Sequence, residues 1–252
     1  MKKTALITGA SSGIGRAAAE KMISLGYKII ITGRRNELLQ SFKSQYLLDK
    51  DLIFILNFDI RNRNETIQAY ESLPDEWKNI DVLINNAGLA AGADPIDKGD
   101  WNDWEQMIDT NVKGLLAISK LVIPVMIERK KGHIINIGSI AGHEVYANGN
   151  VYCASKHAVS AITKGMRIDL LPYGIKVSSI SPGMVETEFS IVRYHGDKEL
   201  ANNVYKGLTP LSANDVADAV EFLVTRPEHV NINDMVIVPA RQASAVYNFR
   251  TT

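Results

Sequence analysis

Read for the spacing of apolar and polar positions, the chain alternates between two textures. Short apolar runs rich in β-branched residues are TALIT (4–8), KIIIT (28–32), LIFIL (52–56), DVLIN (81–85), HIINIG (133–138), KVSSI (176–180) and DMVIV (234–238). They are nearly continuous rather than alternating, which suits strands buried on both faces of a parallel sheet. Between them, apolar residues recur at helical spacing over 13–25, 36–48, 63–72, 102–129, 152–171 and 213–224.

Repeated strand–helix units predict a single α/β domain over 1–252, a doubly wound, Rossmann-like, seven-stranded parallel sheet with helices on both faces. Pro124 lies inside one helical run and is expected to kink it. Residues 184–209 form a long excursion between the sixth and seventh strands. Insertions after a strand's C-terminal end commonly cover the ligand crevice, so this segment is expected to be a substrate lid.

Composition narrows the partners. Of 252 residues, 46% are hydrophobic, and 28 basic residues balance 28 acidic ones. A net charge of zero gives no overall field for nucleic acid or an anionic membrane, so charge recognition must be local. Cys153 is the only cysteine and can form no internal disulfide, which fits a reducing compartment. The N-terminal apolar run stops at TGASSGIG without the apolar core of a signal peptide. No apolar run approaches the ~20 residues of a membrane span. A soluble cytoplasmic protein is expected.

TGASSGIG places Gly9, Gly13 and Gly15 directly after a strand and at the start of a helix. Such a turn lets backbone amides approach a pyrophosphate at a helix N-terminus, where the dipole favours an anion. Ser11 and Ser12 add hydroxyl donors. At the end of the second strand, where a carboxylate would bind the ribose 2′-hydroxyl of NAD, stand Arg34 and Arg35. Two guanidiniums match a 2′-phosphate, so the cofactor is read as NADP.

Tyr152 and Lys156, in YCASK, lie four apart and share a helical face, and Ser139 falls just past the fifth strand. A phenol titrates near ~10 and is a poor base at neutrality; a nearby ammonium lowers that value. A hydroxyl at the strand end can donate to a substrate oxygen as charge develops. His133, His143, His157, His195 and His229 are scattered without ligand spacing, so no metal site is expected.

TGASSGIG, NNAG (85–88), TNVKG (110–114), GSIAG (138–142), YCASK (152–156) and SPGMVETEF (181–189) stand in one order over most of the chain. This resembles the short-chain dehydrogenase/reductase family, and within it the NADP-dependent 3-hydroxy acid (serine, allo-threonine) dehydrogenases. The narrower likeness rests on LPDEWKNIDVLINNAGLA (73–90), MIDTN (107–111), GHIINIGS (132–139) and TEFSIVRYHGD (187–197). The resemblance implies that Tyr152 is the general acid/base and that Lys156 lowers its pKa and binds the nicotinamide ribose. It implies that Ser139 holds the substrate oxygen and that Asn111 supports a proton relay through water. Asp59 and Ile60 would meet the adenine. Ile14, Asn86, Ala87 and Gly88 would line the cofactor, and Pro182, Gly183, Val185 and Thr187 would hold its carboxamide end. It also implies a homotetramer built through the runs 102–129 and 152–171.

A 3-hydroxy acid carries a carboxylate, so its site should present a cation. Arg193, within the excursion, is the candidate, and Arg250 is a second one if the tail folds over the site. Two other readings stand beside a 3-hydroxy acid dehydrogenase: a broader NADPH-dependent carbonyl reductase of ketones or diketones, and a non-catalytic NADP-binding regulator.

Overall fold

Each central strand sends alternate side chains into one of two cores. In the computed structural model, which describes residues 2–46 and 50–251, seven parallel strands form one sheet in the order β3-β2-β1-β4-β5-β6-β7. They are β1 (Thr4–Ile7), β2 (Lys28–Gly33), β3 (Ile53–Asn57), β4 (Ile80–Asn85), β5 (His133–Ile137), β6 (Lys176–Pro182) and β7 (Asp234–Ile237). Ala5, Ile7, Ile29, Ile31, Val82, Ile84, Ile135 and Ile137 enter one core, and Leu6, Ile30, Leu83 and Ile134 the other. The two-residue period of the strand makes this division. A continuous apolar run is what two covered faces require.

The first core is closed by α1 (Gly13–Ser24), α2 (Asn36–Ser44) and α10 (Ala213–Val224), through Met22, Phe42 and Val220 among others. The second is closed by α3 (Arg63–Glu71), α6 (Leu115–Arg129) and α7 (Asn150–Leu170), through Tyr70, Ile118, Val122, Met126 and Leu170. The doubly wound expectation therefore holds, with strand ends within two residues of those read from the sequence. The helix expected over 36–48 ends at Ser44, and its last two positions lie outside the described residues.

Three local features depart from the sequence reading. A short helix, α4 (Asp75–Lys78), occupies what read as a connector. The run 102–129 is not uniform: α5 (Trp101–Ile108) passes through a π turn, Asp109–Gly114, into α6. The helix continues through Pro124, so the irregularity lies upstream of the expected place. The run Trp101–Arg129 is also long and apolar enough to cross a bilayer by length and composition, contrary to the sequence reading. Its Ile118, Val122 and Met126 are packed into the second core.

The excursion 184–209 carries α8 (Phe189–Arg193) and α9 (Lys198–Asn203). It is tied down at both ends. Buried Gln242 accepts a hydrogen bond from the Met184 amide at 2.8 Å. The C-terminal tail holds the far end: Arg250 donates to the carbonyls of Lys206 (2.7 Å) and Val204 (2.9 Å), and the Thr251 amide donates to Gly207 O (2.9 Å). Arg250 is thus spent on the excursion's backbone and is not a second cation in the site.

Candidate active site

Strand order reverses between β1 and β4, and the crevice outside a switch of this kind is where open α/β sheets bind ligands. An open cleft of about 350 Å³ lies there. Its floor is the glycine turn. Gly9 has φ +67°, and a Cβ on it would lie 2.9 Å from the Ala87 backbone. Thr8 and Asn86 fix this approach. Thr8 Oγ1 accepts from the amides of Asn86 (3.0 Å) and Ala87 (2.9 Å), and Asn86 Nδ2 donates to Thr8 O at 2.8 Å. The Asn86 side chain therefore braces the turn.

Gly9, Ser11, Ser12, Gly13, Ile14, Arg34, Arg35, Asp59, Ile60, Asn86, Ala87, Gly88, Ser139, Tyr152, Lys156, Pro182, Gly183, Val185 and Thr187 all line the cleft. Gly15, Asn111 and Arg193 do not. Gly15 sits in the first turn of α1, packed against Asn86 and Gly9. Sequence reasoning missed Phe58, Phe189 and Val192, which form apolar walls, and Glu188.

At one end, Arg35 Nη2 donates to the hydroxyls of Ser11 (3.1 Å) and Ser12 (2.7 Å), while Nη1 donates to the Glu188 carboxylate at 2.8 Å. The Arg35 hydrogen bond holds the Glu188 carboxyl below its ordinary range. The expectation of an anion site with no carboxylate near it is corrected here. The acid comes from the excursion, far away in sequence, so the second strand gave no sign of it. Arg34 is 3.9 Å from Asp59 and about half exposed. Burial alone would raise the Asp59 carboxyl, but bonds from Arg61 outweigh it and hold that carboxyl low.

At the other end, Ser139 follows β5 and caps a 3₁₀ turn, its Oγ accepting from the Ala141 amide at 3.1 Å. Tyr152 and Lys156 sit on the first turns of α7, both buried. Lys156 donates to Ile137 O at 3.0 Å, and burial lowers its pKa to about 8. Burial pushes the Tyr152 phenol above its ordinary value, and Tyr146 adds to the rise; Ser139 and Arg193 pull the other way. The expected lowering of Tyr152 by Lys156 is therefore absent from the protein alone.

Asn111 stands in the π turn and is fully committed. It accepts from the Leu89 amide (2.8 Å) and donates to Leu89 O (2.8 Å) and Ser155 Oγ (3.0 Å). Asn111 and Lys156 converge behind Gly88, where a Cβ would lie 3.2 Å from Asn111 Oδ1 and 3.5 Å from Lys156 Nζ.

Arg193, at the end of α8, turns inward. Its guanidinium lies 5.9 Å from the Tyr152 ring centroid and 5.4 Å from that of Tyr146, and Nη1 donates to the Tyr146 hydroxyl at 2.9 Å. Among the described residues, its buried Nε has no partner. Phe189 meets the Tyr152 ring edge-on at 5.6 Å. Among the described residues, no three His, Cys, Asp or Glu side chains converge as a metal site. His133 and His143 are bonded to Ser178 and Ser181, and His195 to Asp103.

Residues 3–197 match the short chain dehydrogenase family. Among curated relatives, the chain is 45% identical over 241 residues to the NADP-dependent 3-hydroxy acid dehydrogenase YdfG of Salmonella typhi, covering 95% of this chain and 96% of the relative. It is 41% identical over 245 residues to the serine 3-dehydrogenase of Rhizobium radiobacter, covering 97% of each. Among solved structures, the closed form of serine dehydrogenase complexed with NADP+ superposes with TM-score 0.93 at 44% identity, covering 99% of this chain and 100% of that one.

Proposed function

Since this chain belongs to the short-chain dehydrogenase family, we propose that it transfers a hydride between NADP and the hydroxyl-bearing carbon of small 3-hydroxy acids such as serine or allo-threonine. The products are semialdehydes or 2-aminoketones. The observation that carries the substrate class is Arg193: a buried guanidinium with an unpartnered Nε, facing the ring of Tyr152 from the excursion. An apolar wall with one aimed cation suits a carboxylate better than a neutral ketone.

The cleft fits NADP on its own residues. The turn of Gly9–Gly13 opens α1 and offers backbone amides to a pyrophosphate. Arg34 and Arg35 would meet the 2′-phosphate, and Asp59 and Ile60 would hold the adenine end. Ile14, Ala87 and Gly88 wall the middle, and Pro182, Gly183, Val185 and Thr187 take the carboxamide end. NADP, when bound, supplies the hydride acceptor and a positive ring.

At the substrate end, Tyr152 Oη takes the proton from the substrate hydroxyl during oxidation and returns it during reduction. Ser139 Oγ donates to the same substrate oxygen. Lys156 would hold the nicotinamide ribose and favour the phenolate. Burial raises Tyr152 in the protein alone, so its activation belongs to the loaded cleft. Asn111 is a positioning residue that fixes Leu89 and the wall behind Gly88. Residues 184–209 act as the substrate lid.

The cytoplasmic placement rests on Cys153, which is buried and free. The homotetramer rests on exposed apolar side chains of the two long helices and their ends, Leu116, Ile168 and Leu171. The test of function is initial velocity with NADP on L-serine, D-serine, the allo-threonine isomers, 3-hydroxybutyrate and neutral secondary alcohols. Faster turnover of the neutral alcohols would favour a general carbonyl reductase. Light scattering tests the assembly, and a monomer would refute it.

A further inference from the structure

The segment after β6 crosses directly over the glycine turn. A Cβ on Gly13 would lie 3.3 Å from Thr187, and the next residue, Glu188, reaches the Arg35 guanidinium at 2.8 Å. That guanidinium also gathers the hydroxyl oxygens of Ser11 and Ser12. One guanidinium, with two hydroxyls on one of its nitrogens and a carboxylate on the other, brings together the groups that receive a phosphate. Arg34 stands beside it with its nearest carboxylate oxygen 3.9 Å away.

Besides Arg35, the Ser12 hydroxyl also bears on the Glu188 carboxyl, and both belong to the same cluster. Glu188 precedes α8, yet its side chain makes no capping bond to that helix. Turning the carboxylate aside would therefore cost α8 no hydrogen bond. The pair is half-exposed, 43% for Arg35 and 51% for Glu188, so water and salt can compete for it.

We propose that Glu188 is an internal occupant of the 2′-phosphate seat, so that NADP binds by displacing a carboxylate of its own enzyme. The inference rests on the NADP reading above and adds a residue that sets how strongly that cofactor is preferred. NAD has no group that needs the seat and leaves the Arg35–Glu188 pair in place. NADP must break the pair, and its selectivity is held below what Arg34 and Arg35 would otherwise give.

The test uses the intact protein, titrated calorimetrically with adenosine 2′,5′-bisphosphate and, separately, with 5′-AMP. Glu188→Gln should tighten the bisphosphate about two- to five-fold, the range of an exposed ion pair. It should leave 5′-AMP unchanged. Glu188→Ala should do the same, which separates loss of charge from any new contact made by glutamine. Unchanged or weaker binding of the bisphosphate would overturn the proposal, because Glu188 would then be idle or would be positioning Arg35. An equal gain for 5′-AMP would overturn it as well. A wild-type protein that binds the bisphosphate no better than 5′-AMP would sink the NADP reading itself, whatever the variants do.

Discussion

Arg193 donates to the hydroxyl of Tyr146 at 2.9 Å and leaves its Nε buried without a partner. One side of the guanidinium is thus anchored while the other has bonding capacity to spare. A buried donor without an acceptor is costly, so a carboxylate arriving there gains more than it would at a solvated arginine. Arg193→Ala is expected to lower kcat/KM for serine or 3-hydroxybutyrate by at least about tenfold, chiefly through KM. Neutral ketones should be spared. Equal losses for both substrate classes in steady-state assays would remove Arg193 from the substrate site.

Tyr152→Phe removes the proton acceptor and keeps the ring that packs against Phe189. Turnover should fall by about 10²- to 10⁴-fold, the usual worth of a placed proton donor or acceptor. NADP affinity measured by fluorescence titration should change little. Retained turnover would show that another group moves the proton.

Lys156 is buried with a pKa lowered from 10.5 to about 8. Below about 8 both folded and unfolded chains carry the proton, and the full burial penalty is present. From about 8 to 10.5 the unfolded chain holds more protons, so wild-type stability rises with pH on this group's account. Lys156→Met should therefore stabilise the cofactor-free protein at pH 7 by on the order of 2 kcal/mol, after the lost bond to Ile137 O. The gain should shrink as pH climbs toward 10.5, while activity is lost throughout. Chemical denaturation at pH 7, 9 and 10.5 checks this, and a gain independent of pH contradicts it.

The two arginines are expected to divide their work. Arg35 already gathers two hydroxyls, so Arg35→Ala should weaken NADP about tenfold or more and leave NAD nearly unchanged. Arg34→Asp should shift the preference toward NAD by supplying the acid that a ribose hydroxyl uses. If neither variant moves the ratio of the two dissociation constants, the phosphate seat lies elsewhere.

What could be read before folding was whatever is encoded locally. Ala5, Leu6 and Ile7 face alternate cores, and a run covered on both sides needs no polar position, so the strands announced themselves. The glycine turn was equally legible, because a strand, a helix start and a residue at φ +67° must coincide within a few positions. Glu188 was not, since its partner lies 153 residues away and its meaning depends on the excursion folding back. Tyr146 was missed for the same reason: only Arg193, 47 residues on, gives it a role. The π turn at Asn111 was hidden because apolar spacing over one short stretch does not distinguish it from an α-helix. That Tyr152 stands raised in the cofactor-free protein was hidden for another reason. Helical spacing brings two side chains together, but burial governs what each of them does with a proton.

The tail that grips residues 204–207 makes the C-terminus a poor place for a purification tag. Arg250 and Thr251 fasten the excursion that carries Arg193, so a fusion partner joined there would pull on that same segment. Kinetic constants from a preparation tagged there would then describe an enzyme with a loosened excursion, whereas a tag placed before β1 would leave the fastening intact.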